Sequence, residues 1–276
     1  MSRRNIILNL TLFLVFSCSK RSLDLNEEYS YSNNPVKIVF SEYRDEQIRE
    51  KWSEFLTQHN MSQDGYVTMD FNPVTSYIDD IHFWATQPRI ISDTLIAYDR
   101  DAVIEKVLEF LDTWKGLFGT GAESLIMYKF EYRSDFRLFT ISFIQKKLNG
   151  QDVSFILNPE IVIGVTDSGN FRYLYNSLVP DLGLTVPDRY DHDKILSNII
   201  GYSYVYPPNS GEVVRVFTED DRYEVSENFN VYVERTELEY YVYFLKCVNV
   251  IEQDGSSTYS VYCHPETGEI VLINSN

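Results

Sequence analysis

Three cysteines, Cys18, Cys247 and Cys263, are the side chains with the most scope for covalent chemistry. Cys18 ends the run Val15-Phe16-Ser17-Cys18, with an aliphatic residue three places before the thiol and a small residue directly before it. The run resembles a bacterial lipid-attachment site, with Phe16 looser than the common residue two places before the thiol, and the alternative is an ordinary export signal with a chance cysteine. Residues 1–17 fit either, with Arg3 and Arg4 as the charged start and Ile6–Phe16 as an apolar stretch too short to span a bilayer. The strength of that apolar stretch favours the general export route over a twin-arginine route through Ser2-Arg3-Arg4. Lipid on Cys18 makes the mature chain membrane-anchored, and several acyl chains at about 0.8 kcal/mol per buried methylene hold it firmly.

Cys247 and Cys263 lie in two strand-like runs around Asp254–Ser256. A turn over those three residues sets Gln253 opposite Ser257 and, counting back, Cys247 opposite Cys263. Export and register then allow a disulfide. Closing a ~15-residue loop is worth roughly 3 kcal/mol in the chain-entropy picture. Two buried free thiols are the alternative, and a one-residue slip would put the cysteines on opposite faces.

Other chemistry is thinly represented. His59, His82, His192 and His264 are scattered, and no His-Glu-x-x-His pair supplies a thermolysin-type zinc site. Asp191-His192-Asp193 and Asp79-Asp80-Ile81-His82 have the residue types of metal ligands, but the first reads more simply as a helix cap. Glu219-Asp220-Asp221 reads as a solvated turn. Gly-x-Ser-x-Gly, P-loop and dinucleotide signatures are absent from the sequence. The expectation is a protein with no enzymatic activity, no metal and no cofactor.

Charge narrows the partners. The chain has 24 basic and 41 acidic side chains, net −17. Loss of residues 1–17 removes Arg3 and Arg4 and no acid, leaving 22 against 41, or −19. Such a field disfavours nucleic acid and anionic lipid, suits a basic partner, and keeps a surface protein soluble.

The elements that position these residues follow an α+β pattern. Residues 18–36 are polar and without period, and read as a tether. Ser41–Gln58 reads as a helix capped by Ser41, with Ile48, Trp52, Phe55 and Leu56 inward. Tyr66–Phe71 alternates as a strand, while Asn72–Arg89 has no clear period. Asp99–Phe118 is the strongest helix, with Val103, Val107, Phe110, Leu111 and Trp114 as its apolar stripe. Leu125–Tyr132, Phe136–Leu148, Val153–Leu157, Glu160–Thr166 and Phe171–Leu178 read as strands, and their short breaks predict antiparallel neighbours. A helix at Asp191–Gly201 and strands at Ser203–Tyr206, Val213–Thr218, Val231–Glu234 and Tyr240–Ile273 follow. The order of helix then antiparallel strands thus occurs twice, which predicts two related units, 37–182 and 183–276.

The stretch Ala102–Ile273 resembles the propeptides of thermolysin- and fungalysin-like metalloproteases. The residues that carry the likeness are Leu117-Phe118 at the helix end, Phe143 and Gln145 on a strand, and the turn Gly150-Gln151-Asp152-Val153. Asp167-Ser168-Gly169-Asn170 matches a later turn with its glycine one place early. The C-terminal unit resembles the PepSY module, whose ending Thr-Gly-Glu stands here as Thr267-Gly268-Glu269, without the usual Asp-Ala before it. The resemblance implies two cystatin-like units, each a helix on an antiparallel sheet. Physically, Gly169 and Gly268 are expected to supply positive φ, and Gln145 to satisfy neighbouring backbone groups.

Propeptides of this kind aid the folding of their enzyme and inhibit it. No catalytic domain follows Asn276, so the expectation is a module acting in trans on a secreted metalloprotease, with Glu269–Asn276 and neighbouring strand edges as contacts. The second reading is a surface interaction or structural lipoprotein of a bacterial envelope, periplasmic or exposed, whose partner is an envelope or host protein.

Overall fold

The computed structural model describes residues 35–61, 67–84, 86–91, 99–205, 214–236 and 239–275. Cys18, the export segment and the tether through residue 34 lie outside the described residues.

Strand β1 (Val36–Ile38) leads into helix α1 (Glu42–Gln58). The Ser41 side chain accepts from the Arg44 backbone N–H and caps α1, which buries Ile48, Trp52, Phe55 and Leu56. Next come β2 (Val67–Phe71), β3 (Ile78–Phe83), α2 (Arg100–Thr113) and α3 (Lys115–Phe118). The long helix expected over Asp99–Phe118 is therefore two. Asp99 caps the first, and the chain leaves the second at Gly119, whose φ is 87°.

Strands β4 (Leu125–Arg133), β5 (Leu138–Gln145), β6 (Lys147–Leu148), β7 (Gln151–Asp152), β8 (Ser154–Phe155), β9 (Glu160–Thr166) and β10 (Phe171–Asn176) follow. Six strands form one antiparallel sheet in the order β2-β3-β10-β9-β5-β4. Its inner face, including Ile81, Phe83, Phe139, Ile141, Phe143, Ile161, Ile163 and Val165, joins the apolar stripes of α1 and α2 in one core. Phe55 at its centre touches Phe83, Phe110 and Trp114 rings, and burying such a ring stabilises by about 2–3 kcal/mol.

Helix α4 (His192–Ile199), β11 (Ser203–Val205), β12 (Val214–Val216), β13 (Arg222–Val225), β14 (Asn230–Arg235), β15 (Tyr240–Ile251), β16 (Thr258–Cys263) and β17 (Ile270–Ser275) complete the fold. β15 is the spine of the second sheet. It pairs with β14 and β1 through its first half and with β13 and β16 through its second. Even-numbered residues of β15 face the core, where Val248 and Val250 meet Ile195 and Ile199 of α4.

The two sheets share chain. β1 pairs antiparallel with β15, and β8 pairs with β14. The β8–β14 pair is parallel, which corrects the expectation that the Val153–Leu157 run pairs antiparallel with its sequence neighbours. The β8 backbone instead meets a strand about 76 positions later, at the Ser154↔Asn230 and Phe155↔Val231 pairs. A third apolar cluster, including Ile38, Leu148, Val153, Phe155, Val179, Val231 and Val242, fills the join. The architecture is α+β, helices packed on large antiparallel sheets.

Candidate functional site

The cysteine register differs from the expected one. β15 and β16 set Cys247 opposite Tyr262, and Cys263 opposite Lys246. Successive residues alternate between faces, so the two thiols point to opposite sides of the sheet, and both are free and buried. The Cys247–Cys263 disulfide is therefore corrected. The cause is the hairpin loop: the Glu252 N–H donates to Ser257 O and the Gly255 N–H to Glu252 O, closing four residues where three were expected. Burial raises the Cys247 thiol and pushes Cys263 up to about 12, so neither side chain is poised as a thiolate. Thiol titration of the unreduced mature chain after denaturation is expected to count two groups from this pair; a count of none would restore the bridge.

The motif residues do structural work. Phe143 is fully buried in the first core. Gln145, also fully buried, donates through Nε2 to Lys147 O (3.0 Å) and Val179 O (2.9 Å) and accepts the Val179 N–H at Oε1 (2.8 Å). Gly150, at φ 76°, turns the β6–β7 hairpin, and Val153 enters the cluster between the sheets. Gly169, at φ 80°, lies against the backbone of Ile91.

Thr267, Gly268 and Glu269 form a turn that clamps α4. Gly268 has φ 72°, and a Cβ there would stand 2.6 Å from Lys194 O. Asn198 donates to Thr267 O, and the Asp191 N–H to Pro265 O. The turn is held from inside by His264, whose Nδ1 accepts the backbone N–H groups of Glu266 (3.3 Å) and Thr267 (3.2 Å).

Those two bonds need an unprotonated Nδ1, and burial lowers the His264 pKa against the opposing pull of Glu266 and Glu269. Burial also lowers His59, which lies against the Phe55 ring. A folded-state pKa below the unfolded value means the unfolded chain takes the proton first. Stability is then complete above about pH 6.5 and falls as pH drops below it. Urea melts between pH 7.5 and 5 are expected to show this loss, and His264→Asn, which keeps an acceptor that does not titrate, to reduce it. An unchanged slope in that variant would remove His264 from the account.

The acidic clusters resolve separately. Asp191 caps α4 by accepting the Lys194 N–H, and that bond holds its carboxyl below the usual range. Asp221 is buried rather than solvated, accepting from Thr218 N and Oγ1 and pairing with Arg215 at 2.8 Å. Of the expected solvated turn, Glu219 and Asp220 are exposed as expected, and Asp221 alone is an internal anchor. Among the described residues there is no group of three or more His, Cys, Asp or Glu side chains arranged to hold a metal.

The side chains brought together most conspicuously lie on the outer face of the six-stranded sheet. One cross-strand row reads Thr68, His82, Tyr173, Gly164, Thr140 and Glu131; the next reads Asp70, Asp80, Tyr175, Val162, Ser142 and Lys129. His82 stacks on Trp84 (5.6 Å) and Tyr173 (5.7 Å) and meets Tyr175 edge-on at 5.2 Å. Tyr173 lies across Gly164, where a Cβ would collide with its ring, and its hydroxyl reaches Thr140 Oγ1 at 2.8 Å. Trp84 donates to Thr68 Oγ1 and keeps 57% of its surface exposed; Tyr175 keeps 45%.

Beside these rings Asp70 and Asp80 stand directly opposite each other on β2 and β3. Like charges at a cross-strand pair oppose folding. Burial raises the Asp80 pKa, the His82 ring at 3.3 Å draws it back, and Asp70 adds to the rise. Asp80 Oδ1 is buried and makes no hydrogen bond.

Sequence reading missed this cluster. Its signal was the period-two run Asp80, His82, Trp84 inside a stretch that otherwise showed none.

No family model matches the chain, and no curated protein does. Among solved structures, the Bacillus megaterium YpeB C-terminal domain is similar at 10% identity, covering 86% of this chain and 98% of that one, with a TM-score of 0.32. A likeness at that level carries no argument about function.

Proposed function

We propose that this chain is a non-catalytic binding protein of a bacterial cell envelope, anchored by lipid on Cys18, whose working surface is the aromatic outer face of the six-stranded sheet. The observation that carries the reading is the contiguous Trp84–His82–Tyr173–Tyr175 cluster, with two of its rings about half exposed. Rings already locked by stacking lose little freedom on binding, and exposed aromatic patches mark interaction surfaces. Asp70 and Asp80 suit a partner that brings a cationic group, as does the net charge of the chain.

A secreted metalloprotease is the partner class to which the propeptide resemblance leads, and an envelope or host protein is the other. The resemblance extends to a PepSY-like C-terminal unit, and the strand that follows Thr267-Gly268-Glu269 there, β17, is an edge strand paired only with β16 among the described residues. An edge of that kind accepts another strand by backbone hydrogen bonding. Binding of the folded enzyme would shift its populations without chemistry.

Affinity capture from native envelope and secreted fractions, with the mature chain as bait, tests the proposal. Recovery of a metalloprotease whose cleavage slows when the chain is added supports the regulator; recovery of a non-protease partner supports the envelope reading. Absence of any saturable partner would overturn both. Cys18→Ala is expected to move the protein from the membrane to the soluble fraction.

A further inference from the structure

The end of the same sheet face, beyond Trp84, has a different chemistry. Register places Arg133, Leu138 and Thr166 in one cross-strand row over β4, β5 and β9. With Gln87, Phe136 and Arg172 they line a cavity of about 300 Å³.

Two guanidinium groups therefore share one cavity in a strongly acidic protein. Arg133 lies over the Phe136 ring at 4.7 Å. Arg172 lies over the Trp84 ring at 5.9 Å and donates to Trp84 O at 3.3 Å. Neither makes an ion pair among the described residues. Of the nearby carboxylates, Asp167 pairs with Arg137 at 2.6 Å and Glu131 with Lys129 at 2.8 Å, while the exposed Asp135 accepts from the Ser134 hydroxyl at 3.4 Å and pairs with neither arginine. The remaining charge of the chain is screened beyond about 8 Å at physiological salt.

Phe136 keeps 62% of its surface exposed, far more than a ring retained for packing. It and Leu138 give the cavity an apolar wall beside the two cations. Planar guanidinium forks resting on aromatic faces are pre-organised to bind carboxylate or phosphate through paired N–H donors.

We infer that this cavity is a binding site for an oxyanion, carboxylate or phosphate, carried on a small apolar or aromatic body. Arg133 and Arg172 take the anion, and Phe136 and Leu138 take the body. The inference stands apart from the protein-partner reading, since it requires neither a partner nor the lipid anchor.

Calorimetric titration of the mature chain at physiological ionic strength tests it with three probes: 3-phenylpropionate, phenyl phosphate and the neutral 3-phenylpropanol. Saturable binding of one or both anions, without binding of the alcohol, is expected, and the stronger anion identifies the source of the charge. Arg133→Gln and Arg172→Gln should each weaken that binding roughly tenfold or more, and Arg172→Lys should restore only part of it. Both arginines reach solvent, so melting temperatures should stay close to the parent and show that the variants fold. No saturable binding of either anion, equal binding of the alcohol, or binding unchanged in both variants would overturn the inference, whatever the envelope capture returns.

Discussion

Replacing Gln145 with leucine is expected to lower the unfolding free energy by roughly 3–5 kcal/mol. The side chain fits the volume but abandons three backbone groups, the buried Val179 O and Val179 N–H and the partly buried Lys147 O. An unpaired buried donor or acceptor costs about 1–3 kcal/mol, and these lie where residues 145–148 and 176–179 hold the first sheet to the cluster between the sheets. Gln145→Glu is expected to be nearly as damaging, because its carboxylate cannot donate to the two carbonyls. Urea unfolding reads the change directly; a loss below about 1 kcal/mol would mean water replaces the amide.

Lys246→Ala is the second large effect, expected at roughly 2–4 kcal/mol. Lys246 sits on the core-facing side of β15, 2% exposed. Its ammonium donates to Ser226 O (2.8 Å) and Glu227 O (2.7 Å) and lies between the Tyr190 and Phe229 rings at 4.5 and 4.7 Å. Burial lowers its pKa, yet two carbonyls and two ring faces compensate the charge where it sits. Truncation removes the cation, opens a cavity, and frees the loop before β14. Lys246→Met fills the volume without the donors and is expected to lose less. Equal losses for the two variants would show that the donors matter and the volume does not.

The sequence was most legible where local rules are strong. Ser41, Asp99 and Asp191 each cap the helix expected after them, and the apolar stripes of α1 and α2 face the core. Strands β4, β5, β9, β10 and β14 to β17 stand within a few residues of the runs that predicted them. What escaped depends on distant chain. β1 is short and has no period of its own, and it is a strand because β15 offers it an edge; β8 lies inside the expected Val153–Leu157 strand, but its parallel partner β14 was not legible. The cysteine register turned on one loop residue, and a slip of one exchanges the faces of a strand.

The candidate site was the least legible part. Motif residues such as Gln145 and Gly268 were visible because they are chemically unusual for strands and turns, and the structure gives them structural work. Trp84, His82, Tyr173 and Tyr175 come from two segments about 90 positions apart, and the rows they form exist only once six strands are in register. A tyrosine on a strand carries no mark of whether its face will be covered.

Comparing capture by the parent chain with capture by a Trp84→Ser/Tyr175→Ser variant would test the central claim most directly. Both side chains are about half exposed, so the variant should melt close to the parent. The expected result is that the specific partner recovered by the parent falls at least about tenfold in the variant, as loss of interface aromatics predicts. Undiminished recovery by a folded variant would contradict the claim that this face is where the protein works.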